Sequence, residues 1–515
     1  MNSSHFSWCS RQFRSTSLQY FLLSIQAISY YSPNKSLPGL SWRPGLLALI
    51  VLVTGCSGTF SHYGKVERSL IAGHPEQAIQ LIQKAEDDYG GENRLLYLMD
   101  YGMVLHLAGK YQESNSVLEE AYHLVEEQYT TRLREQASAL LINEAQLPFE
   151  GEPFEHVLIN VIKALNYACL RNWTEALVEA RRIDQRLNIL SDRVDGDQYK
   201  EDPFARYLTG ILYEIGGDLN NAYVAYRKAE TVYNDARAWS KVALPDMLKT
   251  DLIRMANALH IPEDLDRYQT TYPEVASEAD RFSETGMAQV IVVSYLGRSP
   301  QKEDLFIDVP ISLDALQLVA LAKTVGGPGR RSTRGGEALL YGIHGQIARV
   351  ALPRLVPERT KIAYNTLELT EGTNTFNAHS QRLYDIGAIA EKNLDDGYST
   401  LVLRAVARSA MKMAAAEGIG IGVHSALHKN SQEWVGLLAV ILARIAALVT
   451  EEADIRSWRT LPGEIQLIRL WVPAGSYRLT VNAVDHQGRV MALPKTEQLD
   501  LESGEAHFVV RQYVE

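Results

Sequence analysis

The feature that most constrains the fold of this 515-residue chain is a pattern of small and bulky residues that recurs between about residues 65 and 233. Apolar residues there are spaced three and four apart, which is typical of amphipathic helices. Two copies of the pattern are clear: Gly102, Tyr111, Ser114, Leu118 and Ala121, then Gly210, Tyr213, Leu219, Ala222, Tyr226 and Ala229. Two weaker copies are Gly73, Ala78, Ile82 and Ala85, then Ala164, Trp173, Ala176, Ala180 and Ile183. The pattern predicts paired helices, because small residues allow close approach while larger ones fill the groove between the helices.

The offsets within each copy resemble those of the tetratricopeptide repeat, a helix pair that stacks on its neighbours. We therefore expect residues 56–260 to form an all-α helical solenoid of this type. The copies are unevenly spaced, which predicts insertions at 144–155 and 191–202. The alternative is that these are ordinary packed helices of a domain without repeats.

Protein binding is the default function of such a solenoid, because its concave face accepts extended or helical segments of a partner. Met103 and Ile211 are the candidate partner-binding residues, since both lie on the expected first helix of a pair, at positions not required by the pattern. Exposed apolar residues there would form an interaction patch. The alternative for both residues is packing between repeats.

The sequence becomes more polar after Ala258, and the polar stretch 262–285 is expected to be a linker. Runs rich in β-branched residues predict strands at 290–295 and 304–311. Helical periodicity returns over 380–416. Together these features predict a mixed α/β domain over 286–455.

The last part of the chain, residues 456–515, alternates apolar and polar residues. It predicts a small antiparallel β module with four strands, at 465–472, 477–484, 490–493 and 507–513. The predicted fold class of the whole chain is therefore α+β.

Two apolar stretches lie within 401–449, and the second of them, 434–449, carries Arg444 in its middle. A membrane-spanning helix needs roughly 20 apolar residues, and a central charge is costly there. We expect the two stretches to form a buried helical hairpin. Insertion into a membrane or an oligomeric pore is the alternative.

Motifs of catalysis and metal binding are not found in the sequence. The basic glycine-rich stretch 325–336 lacks the Gly-Lys-Ser/Thr of a P-loop, so a surface loop is the favoured interpretation and an anion or partner site the alternative. His424 and His428 lack the glutamate of a His-Glu-x-x-His site. No Gly-x-Ser-x-Gly elbow is present either. We therefore predict no cofactor, no metal and no enzymatic activity.

An apolar run over 46–53 ends in Thr54, Gly55 and Cys56. The run is too short to span a bilayer but fits the apolar region of a signal peptide. The stretch from Val53 to Cys56 resembles the lipobox of bacterial lipoproteins, which implies that Cys56 is lipidated and that residues 1–55 are removed. The alternative is a buried strand that ends in Gly-Cys.

This leader is longer than the usual length of about 15 to 30 residues, and it has no second Met before Cys56. We hypothesise that translation begins near Leu37 or Leu40. Of the other cysteines, Cys9 lies in the leader and only Cys169 remains, so no intrachain disulfide is expected in the mature chain.

The charge balance is acidic, with 62 Asp and Glu against 51 Lys and Arg. Four of the basic residues and none of the acidic ones lie in the leader, which makes the mature chain more acidic still. This balance argues against a nucleic-acid partner, because such binding depends on Lys and Arg that neutralise phosphates.

Three segments of the C-terminal half, 304–307, 385–390 and 453–462, resemble a family of uncharacterised bacterial lipoproteins with tetratricopeptide repeats. The resemblance extends over nearly all of the mature chain and implies no known chemistry. It implies a place in the cell envelope, and some relatives lie beside lipoproteins of the penicillin-binding-protein activator type.

The sequence therefore predicts a lipid-anchored cell-envelope protein, in the outer membrane and facing the periplasm, that acts as a scaffold in envelope assembly. Its expected partners are envelope proteins at the concave face and the membrane through the anchor. The alternative is a secretion or export component whose segments within 401–449 oligomerise or enter a membrane.

Overall fold

The computed structural model describes residues 62–135, 147–191, 199, 201–240, 242–282, 286–310, 347–399, 401–402, 404–406, 409, 453–491 and 495–514. All described residues belong to one compact unit, Phe60–Glu515. This unit is α+β, with helices first and strands after them.

The helices before residue 282 are α1 Tyr63–Ile71, α2 Pro75–Lys84, α3 Glu86–Tyr89, α4 Arg94–Leu107, α5 Tyr111–Glu135, α6 Pro153–Cys169, α7 Trp173–Ser191, α8 Pro203–Ile215, α9 Leu219–Ser240, α10 Asp246–Ala258, α11 Pro262–Thr271 and α12 Pro273–Arg281. Several begin with a proline in the first turn, which suits a position whose N–H has no helical partner. Asp202 caps α8 by accepting a hydrogen bond from the Ala205 N–H at 2.7 Å.

Ten of these helices form five pairs with the same turn: α1–α2, α4–α5, α6–α7, α8–α9 and α10–α11. We call the first helix of each pair the A helix and the second the B helix. Each A helix is followed, two positions after its end, by a residue with positive φ, and these residues are Gly73, Gly109, Arg171, Gly217 and His260. The next N–H then donates to the carbonyl five residues back, at 2.8–3.0 Å, as in a Schellman cap.

The two clear copies of the sequence pattern place glycine where the helices of a pair touch. A Cβ atom on Gly102 would lie 2.4 Å from Leu118, and one on Gly210 would lie 2.4 Å from Tyr226. Gly73, in contrast, has open space around it and serves the turn through its φ of 72°. Helices are confirmed at all four predicted pairs. In two of the pairs, a glycine allows the two helices to approach each other closely.

A fifth pair, α10–α11, was not predicted, and the expected linker at 262–285 is wrong. Residues Pro262–Thr271 and Pro273–Arg281 are helical instead. The signal was hidden because Ile253 and Leu265 stand at the positions that the other pairs fill mostly with small residues, and His260 replaces the turn glycine.

The strands are β1 Met287–Leu296, β2 Gln301–Pro310, β3 Ile347–Val356, β4 Ile362–Glu371, β5 Asn374–His379, β6 Gln381–Asp385, β7 Glu464–Pro473, β8 Gly475–Asp485, β9 Lys495–Leu501 and β10 Ala506–Tyr513. They form a central sheet of order β10-β1-β7-β6, an outer sheet of order β5-β4-β8-β9 and a ribbon of β2 and β3. Strand β1 pairs in parallel with β10, whereas the other pairings are antiparallel.

The central sheet lies between the helices and the outer sheet. Along β1, Val290 and Val292 belong to the core shared with the outer sheet, while Ile291, Val293 and Tyr295 belong to the core shared with the helices. This alternation follows from the two-residue period of a strand and buries β1 on both faces. The molecule therefore has three layers, namely helices, central sheet and outer sheet.

The expected C-terminal module is not separate from the preceding domain, because β1 lies between β7 and β10 in one sheet. The predicted strands at 290–295, 304–311, 465–472, 477–484 and 507–513 are confirmed to within a few residues. The predicted strand at 490–493 is wrong: Val490 makes only an isolated bridge, and β9 begins at Lys495.

The ribbon of β2 and β3 packs on a helix over 386–399, α13, whose helical course reappears at 401–402 and 404–406. Val350 and Leu352 of the ribbon form a small core of their own with Ala405 and Val406. Among the described residues, no helix is both long and apolar enough to cross a membrane. Cys56, the stretch 325–336, both candidate histidines and the apolar stretch 434–449 lie outside the described residues.

Candidate functional site: the strap on the A helices

An extended segment, Ala453–Pro462, crosses the A helices without joining a sheet or a helix. We call it the strap. The Ala453 N–H donates to Asp304 at 2.9 Å and the Trp458 N–H to Glu155 at 2.8 Å. The Leu461 carbonyl accepts from the backbone N–H of Ser299 at 3.0 Å. The strap leads directly into β7 of the central sheet.

Three successive A helices each contribute one carboxylate to the strap, and together they form what we call the acidic face: Glu67 of α1, Asp100 of α4 and Glu155 of α6. The strap brings two arginines, Arg456 and Arg459. Arg459 pairs with Glu67 of this face, whereas Arg456 pairs with Asp454 within the strap.

Arg459 joins the strap to the first helix pair. Its Nη2 lies 3.4 Å from Glu67 Oε1, and its guanidinium carbon lies 4.5 Å from the centre of the Tyr63 ring. Glu67 also pairs with Arg298, at 3.1 Å. The carboxylate is therefore shared by one arginine from the strap and one that follows β1.

Asp100 is the most heavily hydrogen-bonded member of the acidic face. It accepts bonds from the hydroxyls of Tyr63, Tyr89 and Thr460, at 2.5, 2.9 and 2.8 Å. Burial outweighs these donors and raises the pKa of Asp100 to about 6.

Glu155 accepts backbone N–H bonds with both oxygens, from Trp458 of the strap and from Glu152, each at 2.8 Å. The second bond belongs to a capping box at the start of α6. Burial, followed by the charge of Glu152, raises the pKa of Glu155 to about 7. Trp458 itself is fully buried.

Arg456 joins the strap to the start of the second helix pair and to the chain before α6. Its Nη1 donates to Asn93 Oδ1 and to the carbonyl of Leu147, both at 2.9 Å. Its guanidinium also lies over the Phe149 ring, at 5.4 Å, and pairs with Asp454 within the strap.

Two small cavities border the strap. The first, of about 20 Å³, is lined by Arg459, Thr460 and Leu461 together with Tyr63 and Glu67. The second, of about 10 Å³, is lined by Ser457 and by polar residues of three other segments, which include Glu152, Glu155, Lys302 and Asn393. In the strap, Ser457 Oγ and Arg459 Nε are buried and have no hydrogen-bond partner.

A second polar cluster joins the helices to the central sheet through Arg469 of β7. Its guanidinium bonds to Asp251 of α10 at 2.6 Å and to Glu214 of α8 at 2.9 Å. Burial alone would raise the pKa of Glu214, but Arg469 and Arg254 outweigh it and lower the pKa to about 2. Glu214 therefore acts as a charged partner of a buried arginine.

His106 of α4 connects the same layers near the end of β1. One ring nitrogen lies 2.6 Å from Asn166 Oδ1 and the other 3.0 Å from the Tyr295 hydroxyl. Burial lowers the pKa of His106 to about 4, so the ring is neutral and links the helices to the sheet without charge.

The structure changes the interpretation of the predicted partner-binding residues. Met103 is 1% exposed and Ile211 is fully buried, and both lie in the core shared by the helices and the central sheet. The expectation that they contact a partner is wrong, because both are buried. The alternative was packing between repeats, whereas the core in which they lie also includes residues of the central sheet. The reason is that the central sheet covers the A-helix side that was expected to be open.

Sequence reasoning singled out residues 453–462 only through a resemblance and assigned them no contact. The available signal was Arg456, Trp458 and Arg459 in a segment without helical or strand periodicity. Within the described ranges, no group of three or more His, Cys, Asp or Glu residues is arranged to hold a metal ion.

Comparisons with known proteins add no family. No protein-family model matches the chain, and no curated protein matches it. Among solved structures, the chain is similar to one named MamA MSR-1 C2, with 11% sequence identity and a TM-score of 0.25. The match covers 43% of this chain and 97% of that one, and at this TM-score it carries no argument about fold or function.

Proposed function

We propose that this chain is a lipid-anchored protein of the bacterial cell envelope, attached through Cys56 to the outer membrane and facing the periplasm, where its helix pairs serve as a tetratricopeptide-like scaffold for envelope assembly. The role is non-catalytic and needs no cofactor. Protein partners contact the helical part, and nucleic acid is not a partner.

The observation that carries the scaffold proposal is the strap. Five helix pairs with one common turn present a side that binds an extended segment through side chains from successive A helices. Recognition of extended segments along stacked pairs is the characteristic use of helical repeats. In this chain, part of that capacity is taken up by the chain's own residues.

The anchor is tested by metabolic labelling with a fatty-acid analogue. Cys56→Ala should abolish incorporation, whereas Cys169→Ala is the matched control and should keep it. Burial raises the pKa of the Cys169 thiol to about 12, which makes that thiol a poor nucleophile. Label retained by the Cys56 variant would refute the lipoprotein assignment.

The scaffold role is tested by crosslinking in intact cells, followed by capture of the full chain and identification of crosslinked residues. Crosslinks from an envelope protein to the helix pairs, reproducibly at the same lysines, support the proposal. Crosslinks confined to copies of this chain would contradict it.

The alternative is a secretion or export component whose segments within 401–449 oligomerise or enter a membrane. The described part of that region favours the scaffold, because Leu401, Val402, Ala405 and Val406 pack on the ribbon. The Cys56→Ala chain, purified without detergent, decides between the two. A monomer by light scattering supports the scaffold, and a defined oligomer or vesicle insertion supports the alternative.

A further inference from the structure

One carboxylate, that of Glu152, joins an amine and a side-chain amide from two other parts of the chain. Its Oε1 accepts from the Lys302 amine of β2 at 2.5 Å, and its Oε2 accepts from Asn393 Nδ2 of α13 at 2.6 Å. Glu152 itself lies at the start of α6. The three residues come from segments far apart in sequence, and the carboxylate holds the amine and the carboxamide side by side.

The surroundings of these three side chains are small and largely apolar. Phe154, Leu355 and Leu394 line the same cavity, whose free space is about 10 Å³. This is close to the space that one water molecule needs, and ammonia is of similar size. The Lys302 side chain is only 13% exposed. The site therefore has space for one small molecule between an amine and an amide that are mostly shielded from solvent.

The charges at the site bear on where a proton resides. Burial alone would lower the pKa of Lys302, but the negative charge of Glu152 outweighs it and raises the pKa, so the amine begins as an ammonium. Burial also makes an ionised pair costly relative to a neutral amine and a carboxylic acid. Glu155, which lies beside Glu152 and has a pKa of about 7, adds a second carboxyl that is partly protonated at neutral pH. The proton of the ammonium thus has carboxyl groups within reach.

A similar set of side chains lies further along α6, with a different neighbour. Glu179 accepts from Lys163 at 2.8 Å and from Asn160 at 2.9 Å. Arg182 also donates to Glu179 there, at 3.0 Å. A guanidinium opposes transfer of a proton to the carboxylate that it contacts. Glu152 instead has a second carboxyl beside it, so proton transfer is opposed at the first set and favoured at the second.

From this geometry we propose that Lys302 and Asn393 become joined by an intramolecular isopeptide bond, with Glu152 as the catalytic carboxylate. Lys302 Nζ gives a proton to Glu152 and attacks Asn393 Cγ, so that the Nζ–Cγ bond forms and the Cγ–Nδ2 bond breaks. Of the three ammonium protons, one stays on the new amide nitrogen and two pass through Glu152 to Nδ2, which leaves as ammonium. Glu152 ends as it began, and no other reactant is needed.

The bond would tie the ribbon to the helix that packs on it. Lys302 lies on β2 and Asn393 on α13, so the ribbon and the helix could not separate even if their small apolar core opened. This inference is independent of the scaffold role, and its failure would leave that role to be decided by labelling and crosslinking in cells.

The test is mass spectrometry of the purified full chain after unfolding and digestion with trypsin. We expect a peptide containing Lys302 to be joined to one containing Asn393, with a mass lower than their sum by one ammonia molecule. The peptides containing Lys163 and Asn160 are the internal control and should keep their unmodified masses. Separate, unmodified peptides for Lys302 and Asn393 would overturn the proposal. So would ammonia lost from Asn393 alone, as a cyclic imide that does not include Lys302.

Two variants test the chemistry. Lys302→Arg keeps the positive charge beside Glu152 but replaces the amine by a guanidinium, so the joined peptides should be absent. Glu152→Gln keeps the shape of the side chain and cannot accept the proton, so the joined fraction should fall at least about tenfold, within the range of general acid–base catalysis. A joined fraction equal to that of the wild type in Glu152→Gln would overturn the catalytic role of Glu152. If either variant does not fold, the wild-type peptides decide by themselves, because their masses need no substitution.

Discussion

Gly210 and Tyr226 touch so closely that a Cβ atom on the glycine would lie 2.4 Å from two carbons of the tyrosine ring. The tyrosine hydroxyl is held at the same time by Glu214, at 2.6 Å, and by Arg469, at 3.1 Å. The ring cannot move aside without breaking the cluster that joins the helices to the central sheet. Close helix approach and helix–sheet attachment are therefore coupled at one residue.

Gly210→Leu should destabilise the protein by about 1–3 kcal/mol or more, because the new side chain overpacks the pair and displaces Tyr226. Urea unfolding of the full chain measures the change. Gly64→Ala is the matched control, since the space around Gly64 in α1 is open and alanine favours a helix by up to about 1 kcal/mol. A Gly210 variant as stable as the control would contradict the close approach.

His260→Gly should stabilise the protein by about 1 kcal/mol, because His260 has a φ of 54°, a conformation that is unfavourable for residues with a Cβ. Gly217→Ala, at the same position of the neighbouring turn with a φ of 81°, should destabilise by a similar amount. Thermal unfolding of both variants gives the comparison. Shifts of the same sign would show that the turns are not equivalent.

Arg171 occupies the same position in the third of these turns, and its side chain makes a contact there that glycine could not make. With a φ of 56°, it forms an ion pair with Glu505 at 2.6 Å, beside the start of β10. The unfavourable backbone is offset by a contact between the helices and the sheet. Such a contact joins residues far apart in sequence, so the turn pattern alone could not reveal it.

The contrast between local spacing and contacts that join distant residues shows how far the sequence could predict the fold. Four helix pairs were predictable because local spacing encodes them, and the pair α10–α11 was missed because Ile253 and Leu265 hide the small-residue pattern. Strand β9 was missed because only Leu499 and Leu501 mark it, while the apolar Val490 before it is 59% exposed.

The candidate site was beyond sequence reasoning for a related reason. Trp458 and Glu155 are separated by 303 positions, and nothing in the local pattern of either predicts their hydrogen bond. Met103 and Ile211 were expected to face solvent because the periodicity of a helix shows which residues share a face and not what covers it. The cover is the central sheet.

The raised pKa of Glu155 predicts a pH dependence of stability with a definite sign. Its pKa is about 7 in the folded chain, against an ordinary value near 4.5, so the folded state binds the proton more tightly. The resulting stabilisation is complete below about pH 4.5 and is lost as the pH rises to 7. Glutamine resembles the protonated carboxyl. The difference in stability between Glu155→Gln and wild type should therefore be smallest at acid pH and largest once the pH reaches 7.

The measurement is the difference in melting temperature between Glu155→Gln and wild type from pH 4.5 to 8. Glu76→Gln, at a solvent-exposed position of α2, is the control for the effect of the substitution itself. A constant difference for the Glu155 variant would show that this carboxyl does not titrate in the window.

Arg469→Met should destabilise the protein by about 3–5 kcal/mol, because it removes one of the two buried arginines, Arg469 and Arg254, that neutralise Asp251 and Glu214. Arg489→Ala removes an ion pair in which the arginine is 74% exposed, and should cost no more than about 1 kcal/mol. Chemical unfolding measures both. Adding Asp251→Asn to Arg469→Met should recover part of the loss, and no recovery would argue against an unpaired charge as its cause.

A fragment that ends after α12 should not fold into a stable domain, although it contains all five helix pairs. In the whole chain, the A helices bury Ile291, Val293, Tyr295, Leu383 and Phe508 of the central sheet in a common core, and His106 hydrogen-bonds to Tyr295. Without the sheet, that apolar side would be exposed, together with Asp100 and Glu155. We expect residues 60–282 to be helical by circular dichroism but to lack a cooperative melting transition, whereas residues 60–515 melt cooperatively. A cooperative transition of the fragment, at the temperature of the longer chain, would mean that the helix pairs are stable by themselves and that the strap and sheet are added to a finished scaffold.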